Sequence, residues 1–539
     1  MIVKNTITTH DSRFWAEKRI IAISFVITLS YFQYGYDSAA IAGFQSMRGF
    51  LEIYGHVDPH SPIGYNISTE VQRLIQSLIN IGSFVSAFAI YFLGSRISRR
   101  VGLWIGCALA FLSVSLMIAI ENIAGLYAGR LLLGMSNGFL LPYNVMFVSE
   151  STPSLLRGPL LGMTILQTSL GALFGVLVDN YTNEREGSAS WRIPLGVMYI
   201  VPAILTVFLF FLPDTPRFYV MKGEYGNAVS AIRRLRGIKD EVLLQAEVED
   251  IRSAYEMEQE LHAGVHLKDM FRGTDLRRTL LSYGCIIGGT CTGITFLAGF
   301  SIYLFMMANV GKPFHWVMIS LVVASTGNAL SFPAMRMFGR RQLVVYCSIG
   351  SAAMWLGMAI IYTVSGSRTS TDNGAGAAKG LVALAIVYGW IASFGQAGVL
   401  IALAAEIPSQ RLRSQTVGTG AGVNAFFGWM VSFFSPYFIN PDQLNWGPKY
   451  GYIWCGTNLI LAVWTWVFVP ETKGRSLEQL DELFEKRVGA RQFSSYVVER
   501  QLVDDVVASR AEGRNGKLSP EHHVEHREKE APALTERTV

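Results

Sequence analysis

Twelve long apolar runs set the terms on which this chain can fold: residues 20–44, 72–94, 101–120, 123–148, 160–180, 193–213, 280–308, 315–335, 342–364, 380–404, 415–439 and 450–470. Each has about 20 residues or more, which at a helical rise of about 1.5 Å per residue spans the roughly 30 Å hydrocarbon core of a bilayer. Inside a bilayer every backbone N–H and C=O needs a partner within the protein, so runs of this length are predicted to be helices. Only 16% of the 539 residues are charged, against about 25% in a soluble chain. The expected class is therefore an all-α membrane protein with about 12 transmembrane helices.

Loop charge sets the expected orientation. Arg96, Arg99 and Arg100 follow the second run, Arg157 the fourth, Arg336, Arg340 and Arg341 the eighth, and Arg411 and Arg413 the tenth. The opposite loops carry little beyond Arg48, Arg185, Lys312, Arg368 and Lys449. Cytoplasmic loops collect Lys and Arg, so both termini are expected in the cytosol. Two sequons, at Asn66 and Asn180, fall on the predicted outside and are candidate glycosylation sites. The net charge of +5 resides in these short loops, which points to orientation signals and away from a nucleic-acid partner.

The expected organisation is a cytosolic tail over 1–19, a six-helix bundle over 20–213, a cytosolic loop over 214–277 with short helices such as 241–261, a second six-helix bundle over 278–470, and a cytosolic tail over 471–539 that is disordered toward its end. No cleavable leader is visible in the polar first 19 residues. The two bundles look duplicated. Arg99 is answered by Arg340, offset 340 − 99 = 241. Glu150 and Arg157 are answered by Glu406 and Arg413, offset 406 − 150 = 256, and Pro213-Asp214-Thr215-Pro216-Arg217 by Pro470-Glu471-Thr472-Lys473-Gly474-Arg475, offset 470 − 213 = 257. Two homologous halves with a solute site between them follow.

Asp37 is the residue least at ease in this pattern. A carboxylate deep in the first run costs roughly 2.5–3.5 kcal/mol on insertion scales, so it is expected to face a polar interior and carry a proton or bind a solute, the alternative being a place near the outer membrane surface where it only caps or solvates the helix. Gln33, four residues earlier, shares its helix face. The five cysteines lie in apolar runs without metal-ligand spacing and are read as small buried hydrophobes. His522, His523 and His526 are read as a solvated tail. Gly-x-x-x-Gly pairs at 134/138, 171/175, 284/288 and 418/422 are expected to be close helix contacts. No phosphate-binding loop, catalytic triad or metal cluster is present in the sequence. Neither an enzyme nor a cofactor is expected.

With Gly129-Arg130, Glu150-x-x-Pro153-x-x-x-Arg157-Gly158, Trp191-Arg192-Ile193-Pro194, Pro213-Asp214-Thr215-Pro216-Arg217 and Pro470-Glu471-Thr472-Lys473-Gly474-Arg475 in view, residues 20–485 resemble the sugar porters of the major facilitator superfamily. Ala405 to Ser414 and Asn445-Trp446-Gly447 are similar to the fungal α-glucoside (maltose) permease branch. The resemblance implies a secondary active transporter, working as a monomer in a fungal-type plasma membrane, with a small-molecule solute and a proton as its partners. It implies that Asp37 and Arg130 carry a proton switch, a static ion pair being the alternative. It further implies a cytosolic gate built from Arg99, Glu150, Arg157, Arg340, Glu406 and Arg413, whose ion pairs latch the halves in one state and part in the other.

Departures from the family pattern bear on the solute. The first cytosolic motif has Ser95 where relatives carry an acid and Ser98 where they carry glycine; its second copy has Arg336 at the acidic position. The seventh run offers Gly289, Thr290 and Thr295 where relatives place amides, and the tenth has Ile401 at the position of a ring-stacking Trp. The expected solute-facing set is Gln33, Gln167, Thr290, Thr295, Gln396 and Asn424; for Gln167 and Asn424 plain interhelical hydrogen bonding is the alternative. Each buried hydroxyl of a sugar left without a partner costs roughly 1–3 kcal/mol. A site with fewer amides thus suits a larger or less polar solute than glucose, such as an oligosaccharide or glycoside. The rival readings are a transporter of a polyol, aromatic acid or secreted metabolite, and a non-transporting nutrient receptor.

Overall fold

The computed structural model describes residues 17–59, 63–93, 96–238, 240–262, 265–307, 311–365, 374–493 and 496. Among them, eleven helices are long and apolar enough to cross a membrane: Thr69–Phe92, Arg99–Ala119, Ile123–Ser151, Leu156–Thr182, Ala189–Phe211, Gly273–Met306, Pro313–Phe338, Arg340–Val364, Gly376–Glu406, Arg413–Ile439 and Gly447–Phe468. Lys18–Phe44 precedes them as a further 27-residue helix, about 40 Å long. Its hydropathy is diluted by Ser24, Thr28, Ser30, Gln33 and Asp37, every one of them buried. Polar side chains turned inward and apolar ones such as Phe210, Phe211 and Ile460 turned outward are the arrangement a lipid surround demands. In chain order these twelve helices are the first to twelfth spans. The face where the first span begins and the twelfth ends is the terminal face; the opposite one is the distal face.

Spans one to six and seven to twelve form two halves that meet where the second span packs on the eleventh, the fifth on the eighth and the first on the seventh. Glycine makes the tightest crossing possible. A Cβ at Gly35 of the first span would strike the Thr168 carbonyl of the fifth, and one at Gly171 would strike the Phe32 carbonyl. Gly175 and Gly43 continue this seam toward the distal face. Gly134 and Gly138 likewise admit the second span, and Gly284 and Gly288 receive Trp464 and Leu461 of the twelfth. The pair at 418/422 departs from expectation: Gly418 meets nothing, and Gly422 faces Phe84 of the other half at ordinary contact distance.

The seventh span breaks into Gly273–Thr290 and Ile294–Met307, with Gly293 at a φ of 96° that a side chain would resist. The break frees the carbonyl of Thr292, which accepts from Asn458 Nδ2 at 2.8 Å, Tyr388 Oη at 3.0 Å and Trp355 Nε1 at 3.1 Å. The tenth span carries a π turn, Ser393–Ala397.

Between the halves, helices Pro216–Met221, Tyr225–Arg236 and Glu241–His262 lie on the terminal face and share a small core of Val220, Ala228, Ile232, Leu244 and Val248. Arg236 ties them to the start of the first span through Glu17 at 2.7 Å, and also pairs with Glu247. After the twelfth span, helix Leu477–Glu485 opens with a capping box of Ser476 and Gln479 and buries Leu480, Leu483 and Phe484 against the second half. Arg278 of the seventh span pairs with Asp481 beneath it. The tail histidines, Ser95 and the stretch expected to be disordered lie outside the described residues. Cys107, Cys285 and Cys347 are buried, Cys291 and Cys455 partly so, and all five are free.

Candidate functional site

Asp37 lies two turns below the distal end of the first span and is fully enclosed. Arg130 of the fourth span donates to its Oδ1 at 2.7 Å and, through Nε, to the Ile75 carbonyl of the second span at 2.9 Å. Three helices of one half are thus joined at a single guanidinium, while Asp37 Oδ2 has no partner among the described residues. Removing one member of a buried pair strands the other charge, which costs roughly 3–5 kcal/mol. One turn earlier, Tyr34 is 38% exposed although it is deep in the bundle, so the helix that carries the acid also borders open space.

Directly above this pair the halves are closed on each other. The rungs between them run from Asn80 Nδ2 to Ser432 Oγ at 3.4 Å and Gln76 Nε2 to the Gly299 carbonyl at 3.1 Å, up to Thr69 at the distal rim. Thr69 Oγ1 donates to the Asp442 carboxylate at 2.8 Å and accepts from Asn440 Nδ2 at 2.9 Å; Tyr303 Oη donates to Asn66 Oδ1 at 3.2 Å. Arg73 lies over the rings of Phe433 and Tyr437 at 5.0 and 5.2 Å. The rung residues inside spans lie in their distal halves, and Asn66, Asn440 and Asp442 lie just beyond the spans on the distal side. At the terminal face, by contrast, a cavity of about 630 Å³ opens between Tyr91, Gln415, residues 265–269 and Arg272. There the His266 backbone N–H donates to Asp269 at 2.9 Å and holds that carboxyl below its usual range.

The residues expected to face solute divide into groups. Thr290 donates to Asn424 Oδ1 at 2.6 Å, which links the seventh and eleventh spans beside the break, and Thr295 Oγ1 reaches the Thr290 carbonyl at 3.4 Å. Gln167 is buried in the fifth span and makes no hydrogen bond among the described residues. Gln33 lines a separate apolar pocket of about 200 Å³ between the first, fifth and sixth spans, with both amide atoms unpartnered. Gln396 is turned into the second half, donating to Ser348 Oγ at 3.0 Å and Asn458 Oδ1 at 2.9 Å. It therefore steadies the Thr292 carbonyl network from behind. Ile401, at the position where relatives stack a ring, is 70% exposed.

The gate residues form two matching nodes, each within one half. Arg99 holds Glu150 through Nε and Nη2, the shortest contact 2.8 Å, and Thr215 Oγ1 donates to the same carboxylate at 2.6 Å. In the second half Arg340 holds Glu406 at 2.9 Å and Thr472 Oγ1 donates to it at 2.7 Å. Ser98 departs from the family glycine because it caps its helix, accepting from Val101 N–H at 3.2 Å. The second copy keeps glycine: Gly339 has a φ of 89° and Glu471 supplies the acceptors, taking Arg340 N–H at 3.0 Å and Arg341 N–H at 3.1 Å. Arg157 is exposed, Arg413 is partly buried, and neither has an ion pair among the described residues. The expectation of pairs latched between halves is thus corrected: among the described residues these pairs close inside each half.

Both sequons are poorly placed for a glycan. Asn66 is 5% exposed, sits in the strand Tyr65–Asn66 paired with His56–Val57, and spends its amide on Asp58 and Tyr303. Asn180 is half-buried on the last turn of the fifth span, where Thr182 Oγ1 turns back to the Val178 carbonyl at 3.0 Å. The rungs at Thr69, Gln76 and Asn80 had no place in the expected site. Gln72, Gln76 and Asn80, spaced by four along an apolar run, carry the signal that points to them.

Residues 23–484 match the model of the family described as "Sugar (and other) transporter". The chain is 26% identical over 475 residues to the MFS transporter fmqE of Aspergillus fumigatus, covering 86% of this chain and 85% of that protein. It is 27% identical over 490 residues to maltose permease MAL31 of Saccharomyces cerevisiae, covering 89% and 78%. Its fold is similar to that of the xylose transporter XylE of E. coli in a partially occluded inward-open conformation, with a TM-score of 0.68 at 18% identity over 85% of this chain and 100% of that one.

Proposed function

The chain belongs to the family of sugar (and other) transporters, and on that premise we propose that it moves a sugar or glycoside by alternating access, in symport with a proton. The termini lie in the cytosol, so the distal face is the outside of a plasma membrane and the structure represents the inward-facing state. The observation that carries this reading is the stacking of two devices in one place. Arg130 binds Asp37 and the Ile75 carbonyl, and Ile75 is the immediate neighbour of Gln76, whose amide closes the rung to Gly299 of the other half. A change at the acid is therefore felt one residue from the outer gate.

The cycle runs as follows. With the outer rungs parted, Asp37 takes up a proton and releases Arg130, and solute enters between the halves. The outer rungs then close. On the cytosolic side Arg157 and Arg413 have no ion pair among the described residues, which leaves them available to join the halves when that side shuts. The intra-half nodes around Glu150 and Glu406 keep each bundle rigid during the exchange.

Radiolabelled uptake across a panel of sugars, glycosides and polyols at two external pH values tests the reading. It requires inward flux of a saccharide that rises at the lower pH, and loss of that pH dependence in Asp37→Asn; unchanged pH-dependent uptake in the variant removes the proton role. A second reading, a transporter of a less polar non-sugar solute, is favoured by Gly289 and Ile401 at positions where relatives bind sugar and by similarity to a relative whose name specifies no sugar. Outward flux from preloaded cells without saccharide uptake would establish it.

A further inference from the structure

A second carboxyl lies in the outer part of the first half, unused by the mechanism above. Asp179, one turn from the distal end of the fifth span, is completely enclosed, and both its oxygens lack a hydrogen-bond partner among the described residues. It lies against Gly43 of the first span, where a Cβ would collide with the carboxylate itself. Only glycine lets this seam close over an acid.

Among the described residues no countercharge pairs with it. From the first span Tyr36 is the titratable group facing it, and its hydroxyl is committed to the Pro194 carbonyl at 3.0 Å. Asp37, one residue on, is held by Arg130 of the fourth span. The sixth span brings Arg192, paired with Glu121, and the short helix Arg48–Tyr54 that follows the first span brings Arg48, paired with Glu52. On the eighth span, which packs along the fifth, Lys312 and His315 are exposed. A naked carboxylate in such a place is strongly disfavoured, so the closed seam holds a neutral acid.

We propose that Asp179 is a second proton-binding site, which must be loaded from water at the distal face before the first and fifth spans can close there. The step is a single proton transfer: hydronium gives a proton to one carboxylate oxygen and leaves as water, and the reverse occurs when the seam opens. Lower pH therefore favours the distal-closed state independently of Asp37. The inference rests on the alternating-access part of the reading above and adds a site to it.

The test uses the full chain in lipid nanodiscs, its five cysteines replaced, with spin labels at Val57 and Leu444, which are 70% and 53% exposed on the distal side of the two halves. As pH rises from 5 to 8, the distal-open population is expected to grow, by up to about tenfold per pH unit for one linked proton. Asp179→Asn, a neutral stand-in, is expected to remove one proton's share of this slope and Asp37→Asn/Asp179→Asn all of it, whereas Asp37→Asn alone keeps the Asp179 share. A slope in Asp179→Asn equal to that of wild type, or a wild-type protein whose distances ignore pH, overturns the proposal. If Thr69→Val, which weakens the gate without a titrating group, moves the distances while pH does not, only the Asp179 site falls; if neither moves them, alternating access falls with it. Should Asp179→Asn fold poorly, infrared difference spectra of the unsubstituted protein and Asp179→Ser decide. A carboxylic-acid carbonyl band at neutral pH must be present in the first and missing in the second, and its absence from the first overturns the proposal.

Discussion

Thr69→Val is the sharpest probe of the gate, since it removes one hydroxyl and preserves shape. That hydroxyl donates to Asp442 at 2.8 Å and accepts from Asn440 at 2.9 Å; both partners belong to the other half, so the bonds exist only while the distal side is closed. A hydrogen bond to a charged group contributes about 1.5–3 kcal/mol and a neutral one about 0.5–1.5 kcal/mol. Asp442 is exposed, so water replaces its lost partner and the charged bond is taken at or below the low end. The loss is then about 1.5–2.5 kcal/mol, a roughly 10- to 70-fold shift toward the distal-open state. Distances between labels at Val57 and Leu444 report the two populations. Ser432→Ala, which loses only the 3.4 Å rung to Asn80, should shift them by less than about fivefold. Equal populations in Thr69→Val and wild type, or a shift toward the closed state, would refute the assignment of these rungs as a gate.

Three further outcomes are expected. Asp37→Asn strands Arg130 with only the Ile75 carbonyl and should cost about 3–5 kcal/mol, read as a lowered unfolding temperature in detergent, with Asp37→Asn/Arg130→Gln recovering part of it. Gly171→Leu should abolish a monodisperse peak on size exclusion, because its side chain would occupy the Phe32 backbone, whereas Gly418→Leu, with open space around it, should leave the peak unchanged. Endoglycosidase treatment should leave electrophoretic mobility unaltered; a mobility shift that Asn66→Gln removes would contradict the burial of that amide.

Much of the architecture was legible because it depends on quantities that are local in the chain. Span length and arginine placement need only a window of some twenty residues, and Asp37 announces itself through the cost of its burial. The pairing of Asp37 with Arg130 came from the family pattern and is met at 2.7 Å. The duplicated offsets identified Arg99, Glu150, Arg340 and Glu406 as equivalent positions, yet equivalence says nothing about which residue touches which. The pairs close within halves because Thr215 and Thr472 bring a third group to each carboxylate. Gln396 was assigned to the wrong face of the tenth span for a geometric reason. It lies inside the π turn Ser393–Ala397, and one extra residue in a turn rotates everything beyond it by about 100°. Thr69 was missed because its partners are some 370 positions away, a separation over which no periodicity operates.

The Thr292 carbonyl gives the seventh span an unexpected character. A carbonyl has two lone pairs, and here three donors from the ninth, tenth and twelfth spans compete for them. The interruption is consequently pinned like an axle in its bearing, and the two segments of the span can swing about a point that itself stays put. Variation at Trp355, Tyr388 or Asn458 should then alter how readily the second half flexes, and so the speed of turnover, while leaving the choice of cargo to residues elsewhere.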